Sequence, residues 1–239
     1  MDTIKINKGN VKMIAHRGLS GIEKENTNAA FVAAGNKSYF GIETDVHKTV
    51  DDKYVIIHDF DTARVAIDNV SVENSTFDFL RTIQLIDKDG KKGRTDLRIP
   101  SLEEYIQLCK KYEKVSVLEL KGSYTKDNIN QIVDIIKGEE YLDNVIFISF
   151  SLQNLINLKE NFPNQPAQFL TVDFTDDLID TLIKYNLDLD IYYDRLNEDN
   201  VKALKEANIE INAWTCDNKE AGERLVKLGV DYITSNILE

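Results

Sequence analysis

The sequence predicts a (β/α)8 barrel, and three observations carry that prediction. Short runs rich in Ile, Val and Phe alternate with segments of helical period along most of the chain. Eight such runs in 239 residues suit a closed barrel better than an open doubly wound sheet. From the third run onward the strand starts stand 30, 22, 20, 22 and 21 residues apart, which is room for one helix and two short loops per parallel unit.

Taken in order, strands are expected at 11–15, 39–46, 115–120, 145–149, 167–172, 187–192, 209–214 and 230–234. Helices between them announce themselves by their caps. Ser101 can cap a helix that Glu104 closes as a capping box, and Asp217 with Glu220 repeats the spacing. Leu102, Tyr105, Ile106 and Cys109 share one helical face, as do Ile129, Ile132, Val133 and Ile136, which is what a helix packed on a sheet requires. Gly35 and Gly138 fall where helices should stop. The stretch from His47 to Pro100 is too long for a βα loop, so an insertion at about 47–100 is expected after the second strand of a single domain spanning 1–239. It should contain a short strand at 54–57, an apolar patch at Phe77, Phe79 and Leu80, and an exposed loop at 88–94.

Composition narrows the functional classes. A chain with 42% hydrophobic and 29% charged residues, 11 Gly and 3 Pro is an ordinary globular one, which excludes disorder and collagen-like repeats. A net charge of −12 without a basic cluster argues against nucleic acid and anionic membranes as partners. Cys109 and Cys216 lie in no CxxC or Cys/His spacing and read as free thiols of a reducing compartment. Residues 1–13 lack the apolar core of a signal peptide and nothing later is long enough to span a bilayer, so a cytoplasmic protein without a membrane anchor is expected.

In a barrel of this type the chemistry gathers at the carboxyl ends of the strands. The first strand ends in His16-Arg17-Gly18. The second carries Glu43 and Asp45, whose spacing of two puts both carboxylates on one face, with His47 beyond them as a supporting neighbour. Glu119, at the end of the third, completes a three-carboxylate cluster with Lys121 close above it. Oxygen ligands alone suit one hard divalent cation, Mg²⁺ or Ca²⁺. His58 follows the short strand of the insertion, where it either hangs over the same mouth or is a core histidine satisfied by Asp59. Trp214 and Phe150 end two later strands, where each either covers a substrate or fills the rim. Three carboxylates and a divalent cation leave one negative charge, which Arg17 and Lys121 reverse. Such a site holds a monoanionic phosphodiester, and two histidines supply an acid and a base for in-line displacement at phosphorus.

These residues, in this order, resemble the glycerophosphodiester phosphodiesterase family. The resemblance rests on His16-Arg17-Gly18, Glu25-Asn26-Thr27, Ile42-Glu43-Thr44-Asp45-Val46, Val55 to His58-Asp59, Pro100 to Glu104, Glu119-Leu120-Lys121, Ser149-Phe150, Trp214-Thr215 and Gly229 to Thr234. It implies hydrolysis of a small-molecule glycerophosphodiester to glycerol 3-phosphate and an alcohol. His16 and His58 become the acid/base pair, Glu43, Asp45 and Glu119 the metal ligands, and Arg17 and Lys121 the phosphate contacts. Four positions depart from the family pattern: Lys24 replaces a Pro, Asp52 a turn glycine, Thr62 a Leu, and Ser235 an Asp. None removes a candidate ligand or histidine. Competing readings keep the site for a lysophospholipid, with Phe77, Phe79 and Leu80 as the apolar groove, or make it a silent phosphate-binding domain, or use Lys121 as a Schiff-base lysine.

Overall fold

The computed structural model describes residues 2–239. Eight parallel strands close into a ring: β1 (Lys12–Ala15), β2 (Gly41–Lys48), β4 (Val115–Leu120), β5 (Val145–Ser149), β6 (Ala167–Thr171), β7 (Asp188–Tyr192), β8 (Ile211–Trp214) and β9 (Tyr232–Ser235). Closure is made where β1 pairs with both β2 and β9. The short β3 (Tyr54–Ile56) lies antiparallel against the far end of β2. The barrel helices are α1 (Asn28–Gly35), α3 (Leu102–Lys111), α4 (Lys126–Gly138), α5 (Leu152–Asn161), α6 (Leu178–Tyr185), α7 (Glu198–Glu206) and α8 (Lys219–Leu228). No helix among the described residues is long and apolar enough to cross a membrane.

The main core lies between the ring and its helices, where the apolar stripes of α3 and α4 are buried. Inside the ring, Ile14, Val117, Ile146, Ile148, Leu170 and Tyr232 fill the lower layers, and polar side chains take over above them. Several strands begin one or two residues later than the sequence suggests, for a shared reason. Leu187, Ile209 and Val230 each donate their N–H to a carbonyl five residues back, so they close α6, α7 and α8 before the strands start.

The helix boundaries bear corrections. Ser101 and Glu104 form the expected capping box, but α8 is capped by Asn218, whose side chain accepts from Ala221 N. Asp217 is occupied elsewhere, holding the backbone N–H and side-chain amide of Asn236 at 2.7 and 2.6 Å. Gly35 and Gly138 are the last helical residues, yet the left-handed turn after α4 falls to Glu140. Gly35 serves packing instead: a Cβ there would stand 2.4 Å from the Tyr112 ring.

The segment between β2 and α3 has its own small core of Val55, Val65, Val72, Leu80, Leu97 and neighbours. Phe77, Phe79 and Leu80 lie on a short helix, α2 (Phe77–Thr82), capped by Thr76. Leu80 is fully buried and Phe77 packs against the same cluster, while Phe79 is exposed. The apolar patch is thus an internal core with one protruding ring, not a groove. The loop at 88–93 is exposed, as its composition suggests.

Candidate active site

One cavity of about 80 Å³ opens at the carboxyl ends of the strands, and eight of the nine predicted site residues line it. The ninth, Asp45, is 1% exposed between Glu43 and Glu119, and one carboxylate oxygen from each of the three lies within 4.8 Å of the others.

The corner after β1 is bent sharply to build the site. Arg17 is held at φ +52° and Gly18 at +74°, a conformation that only a strong local constraint imposes on an arginine. That constraint is visible: Arg17 N donates to Glu43 Oε2 at 2.8 Å, and Arg17 Nη1 donates to Glu25 Oε1 at 2.9 Å. A Cβ on Gly18 would fall 2.7 Å from Ala30 atoms, so no larger residue fits the turn.

Both histidines have their tautomers fixed from outside the cavity. Asn236 donates through Nδ2 to Asp217, which leaves its Oδ1 to accept from His16 Nδ1 at 2.8 Å. The Nε2 of His16 faces inward, 3.9 Å from Glu43 Oε2. His58 donates from Nδ1 to Asp59 Oδ1 at 2.6 Å, which frees its Nε2 likewise. Burial, reinforced by Arg17, pushes His16 down to about 4 against the opposing pull of Asn236. Burial also lowers His58, with Asp45 resisting. His47 supports the site as expected, donating from Nε2 to the carbonyl of His58 at 3.2 Å.

The three carboxylates are crowded. Burial and then Asp45 raise Glu43 well above the ordinary carboxylate range, and the same two causes push Glu119 up to about 8. Burial acts on Asp45 too, but Lys121 and Arg17 outweigh it and keep Asp45 ionised. Lys121 Nζ stands 2.9 Å from Glu119 and 3.3 Å from Asp45, and Arg17 Nε is 3.6 Å from Asp45. Asp45 Oδ1 nonetheless accepts no hydrogen bond while fully buried. An orphaned carboxylate oxygen amid two further carboxylates is the donor set of a hard divalent cation, so the residues fit the expected ion. Burial disfavours the Lys121 ammonium, but Asp45, Glu119 and Glu43 more than compensate and raise its pKa. A lysine held protonated in this way is unsuited to Schiff-base chemistry.

At the rim, Trp214 packs edge-on against Phe150 and Tyr192 at 5.6 and 5.9 Å between ring centroids. Its Nε1 is buried without a partner. Phe150 is 47% exposed at the mouth.

Three supporting residues had no role assigned from the sequence, although Asn26 lies in one of its motifs. Asn26 donates to Asp45 at 2.8 Å. Asn236 holds His16. Arg64 donates to Asp59 from Nε and forks both terminal nitrogens onto Glu25, so a charged chain runs from His58 through Asp59, Arg64 and Glu25 to Arg17. For Asn236 a signal existed, because it follows the last strand at its carboxyl end. Among the departures from the family pattern, Thr62 is buried with its hydroxyl donating to Asp68 O, Asp52 adopts φ +56° in its turn, and Lys24 is 8% exposed. Ser235 accepts at Oγ from Ile237 N and Leu238 N and fastens the last turn of chain.

The model of the glycerophosphoryl diester phosphodiesterase family matches residues 16–238. A glycerophosphodiester phosphodiesterase of Caldanaerobacter subterraneus is 30% identical over 230 residues, covering 94% of this chain and 93% of that protein. A crystal structure of a glycerophosphodiester phosphodiesterase from Parabacteroides distasonis superposes with a TM-score of 0.79 at 26% identity, covering 95% and 93% of the two chains. An Oleispira antarctica phosphodiesterase, solved with the product sn-glycerol-3-phosphate, shares the fold with a TM-score of 0.83 at 22% identity over 98% and 96%. Matched from its first site histidine nearly to its last residue, the chain belongs to the glycerophosphoryl diester phosphodiesterase family.

Proposed function

We propose that this enzyme hydrolyses glycerophosphodiesters to sn-glycerol 3-phosphate and an alcohol, with His16 and His58 as its acid/base pair. The observation that carries the reading is that both imidazoles are tied at Nδ1 from outside and present Nε2 to one cavity shared with three carboxylates. Glu43, Asp45 and Glu119 would hold one Mg²⁺ or Ca²⁺, which when bound offsets charge on the phosphoryl oxygens.

Arg17 and Lys121 supply fixed positive charge for the non-bridging oxygens of the phosphodiester monoanion. One histidine accepts the proton of the attacking oxygen as its bond to phosphorus forms. The other donates a proton to the alcohol oxygen as its bond to phosphorus breaks, so the pair ends with its protonation exchanged. Asn236 and Asp59 keep each ring in the tautomer that this exchange needs.

Release of glycerol 3-phosphate from a panel of glycerophosphodiesters and lysophospholipids, with added Mg²⁺ or Ca²⁺ and with excess chelator, tests the reading. Chelator-sensitive release that is lost in a folded His16→Ala variant is expected. Phosphate-ligand binding without turnover of any substrate would make the chain a binding domain.

A further inference from the structure

Asp190 is the one carboxylate lining the cavity that stands apart from the acidic cluster, among the described residues. It lies on β7, which is four strands from β2 in either direction round the ring, so it faces the Glu43 and Asp45 wall from across the barrel. In register it pairs with Leu170 and Asn212, two residues below the level at which Tyr192 pairs with Trp214. The side chain therefore belongs to the floor of the cavity rather than its rim.

Nothing among the described residues satisfies this carboxyl. Asp190 is 2% exposed and its Oδ1 is buried without a hydrogen-bond partner. Its polar neighbours have paired among themselves: Asn212 donates to Gln168 at 3.2 Å, and Thr234 donates to Asn212 at 3.0 Å. A structural acid would have been drawn into that network, because a buried polar group left unmade costs stability. Ile148 and Leu170 line the same floor and offer it no hydrogen bond. An unpaired carboxyl kept at the bottom of a substrate cavity is poised for a ligand.

We propose that Asp190 is a specificity-determining residue that takes a free hydroxyl of the glycerol moiety. The inference rests on the proposed reaction, since it places phosphorus at the β1, β2 and β4 wall. With phosphate held there, a short polyol chain reaches across the floor, and the bulkier alcohol points to the open mouth beside Phe150. A hydroxyl both donates and accepts, so it satisfies a carboxyl oxygen in either protonation state.

The test compares calorimetric binding of sn-glycerol 3-phosphate and n-propyl phosphate, which lacks both hydroxyls, in the presence of Mg²⁺ or Ca²⁺. Wild type is expected to prefer glycerol 3-phosphate, and Asp190→Ala to lose about tenfold of that preference. Asp190→Leu, closer in volume, reads the same ratio if the alanine cavity impairs folding. A preference undiminished in the folded variants overturns the role of Asp190. Failure of wild type to bind either phosphate overturns the reading of the whole site and this inference with it.

Discussion

Asn236 Oδ1 sits 2.8 Å from His16 Nδ1 and accepts its hydrogen bond, while Asp217 fixes the orientation of the Asn236 amide. The geometry of one imidazole thus depends on a residue three positions before the last one. Asn236→Ala is expected to lower kcat by roughly 10- to 100-fold with little change in KM, the range found when a buttressing partner is removed. Asn236→Asp keeps an acceptor but meets the Asp217 carboxylate where the amide donated, so it should recover little of the rate. Steady-state kinetics on a glycerophosphodiester decide it, and an alanine variant with wild-type kcat would remove Asn236 from the mechanism.

Glu25 provides a pH signature. Burial raises its carboxyl, but Arg64 and Arg17 prevail and bring it down to about 2. A carboxylate depressed on folding stabilises the protein above its unfolded pKa of 4.5, and that contribution is lost as pH falls from about 4.5 toward 2. Glu25→Gln should therefore cost about 2 kcal/mol at pH 7. The gap to wild type should close on acidification. Urea melts at pH 7 and pH 3 measure both, and a gap that is constant with pH would refute the assignment.

Cation binding should be visible without turnover. A divalent ion at one hundred times its Kd adds about 2.7 kcal/mol to folding, which for a chain of this size raises Tm by about 5–10 °C. Mg²⁺ or Ca²⁺ is expected to raise the wild-type Tm and chelator to reverse it. Glu119→Gln should abolish the rise, and in chelator it should melt no lower than wild type, because crowding among the three acids is relieved. Thermal scans with equal response in both proteins would show that Glu119 is not a ligand.

The turn after β1 has no spare room. Gly18→Ala places a methyl 2.7 Å from the Ala30 backbone at φ +74°, so a destabilisation of about 1–3 kcal/mol is expected. Activity should fall further than stability, because Arg17 and His16 share the displaced corner. A variant with wild-type Tm and rate would show that the corner tolerates a side chain.

The barrel was legible because alternation of strand and helix periods is set by burial, and burial is written in residue type. The acidic cluster was legible for a related reason: Glu43, Asp45 and Glu119 are charges inside apolar strands, which local sequence shows directly. Asp217 misled because its side chain serves Asn236 across the fold, a distance of 19 residues that capping rules do not see. Phe77 and Leu80 misled because an apolar run does not reveal whether it faces a neighbour or solvent. Asp190 left no motif, since its meaning comes from what the adjoining strands do not offer it.

The segment that carries His58 has its own hydrophobic cluster and, beyond the pairing of β3 with β2, is fastened to the barrel by arginines, Arg64 forked on Glu25 and Arg94 bonded through Nη1 to Glu23. Docking of that segment is consequently a separable event in the assembly of the enzyme. The ring with its helices can be in place while one half of the proposed acid/base pair is still absent, so recovery of helical signal on refolding should precede recovery of activity. Salt weakens charged fastenings and spares apolar ones. Amide exchange between Tyr54 and Arg98 is therefore the part of the molecule that ionic strength should accelerate first, and the rate at which His58 leaves the cavity would then set how long the enzyme stays assembled.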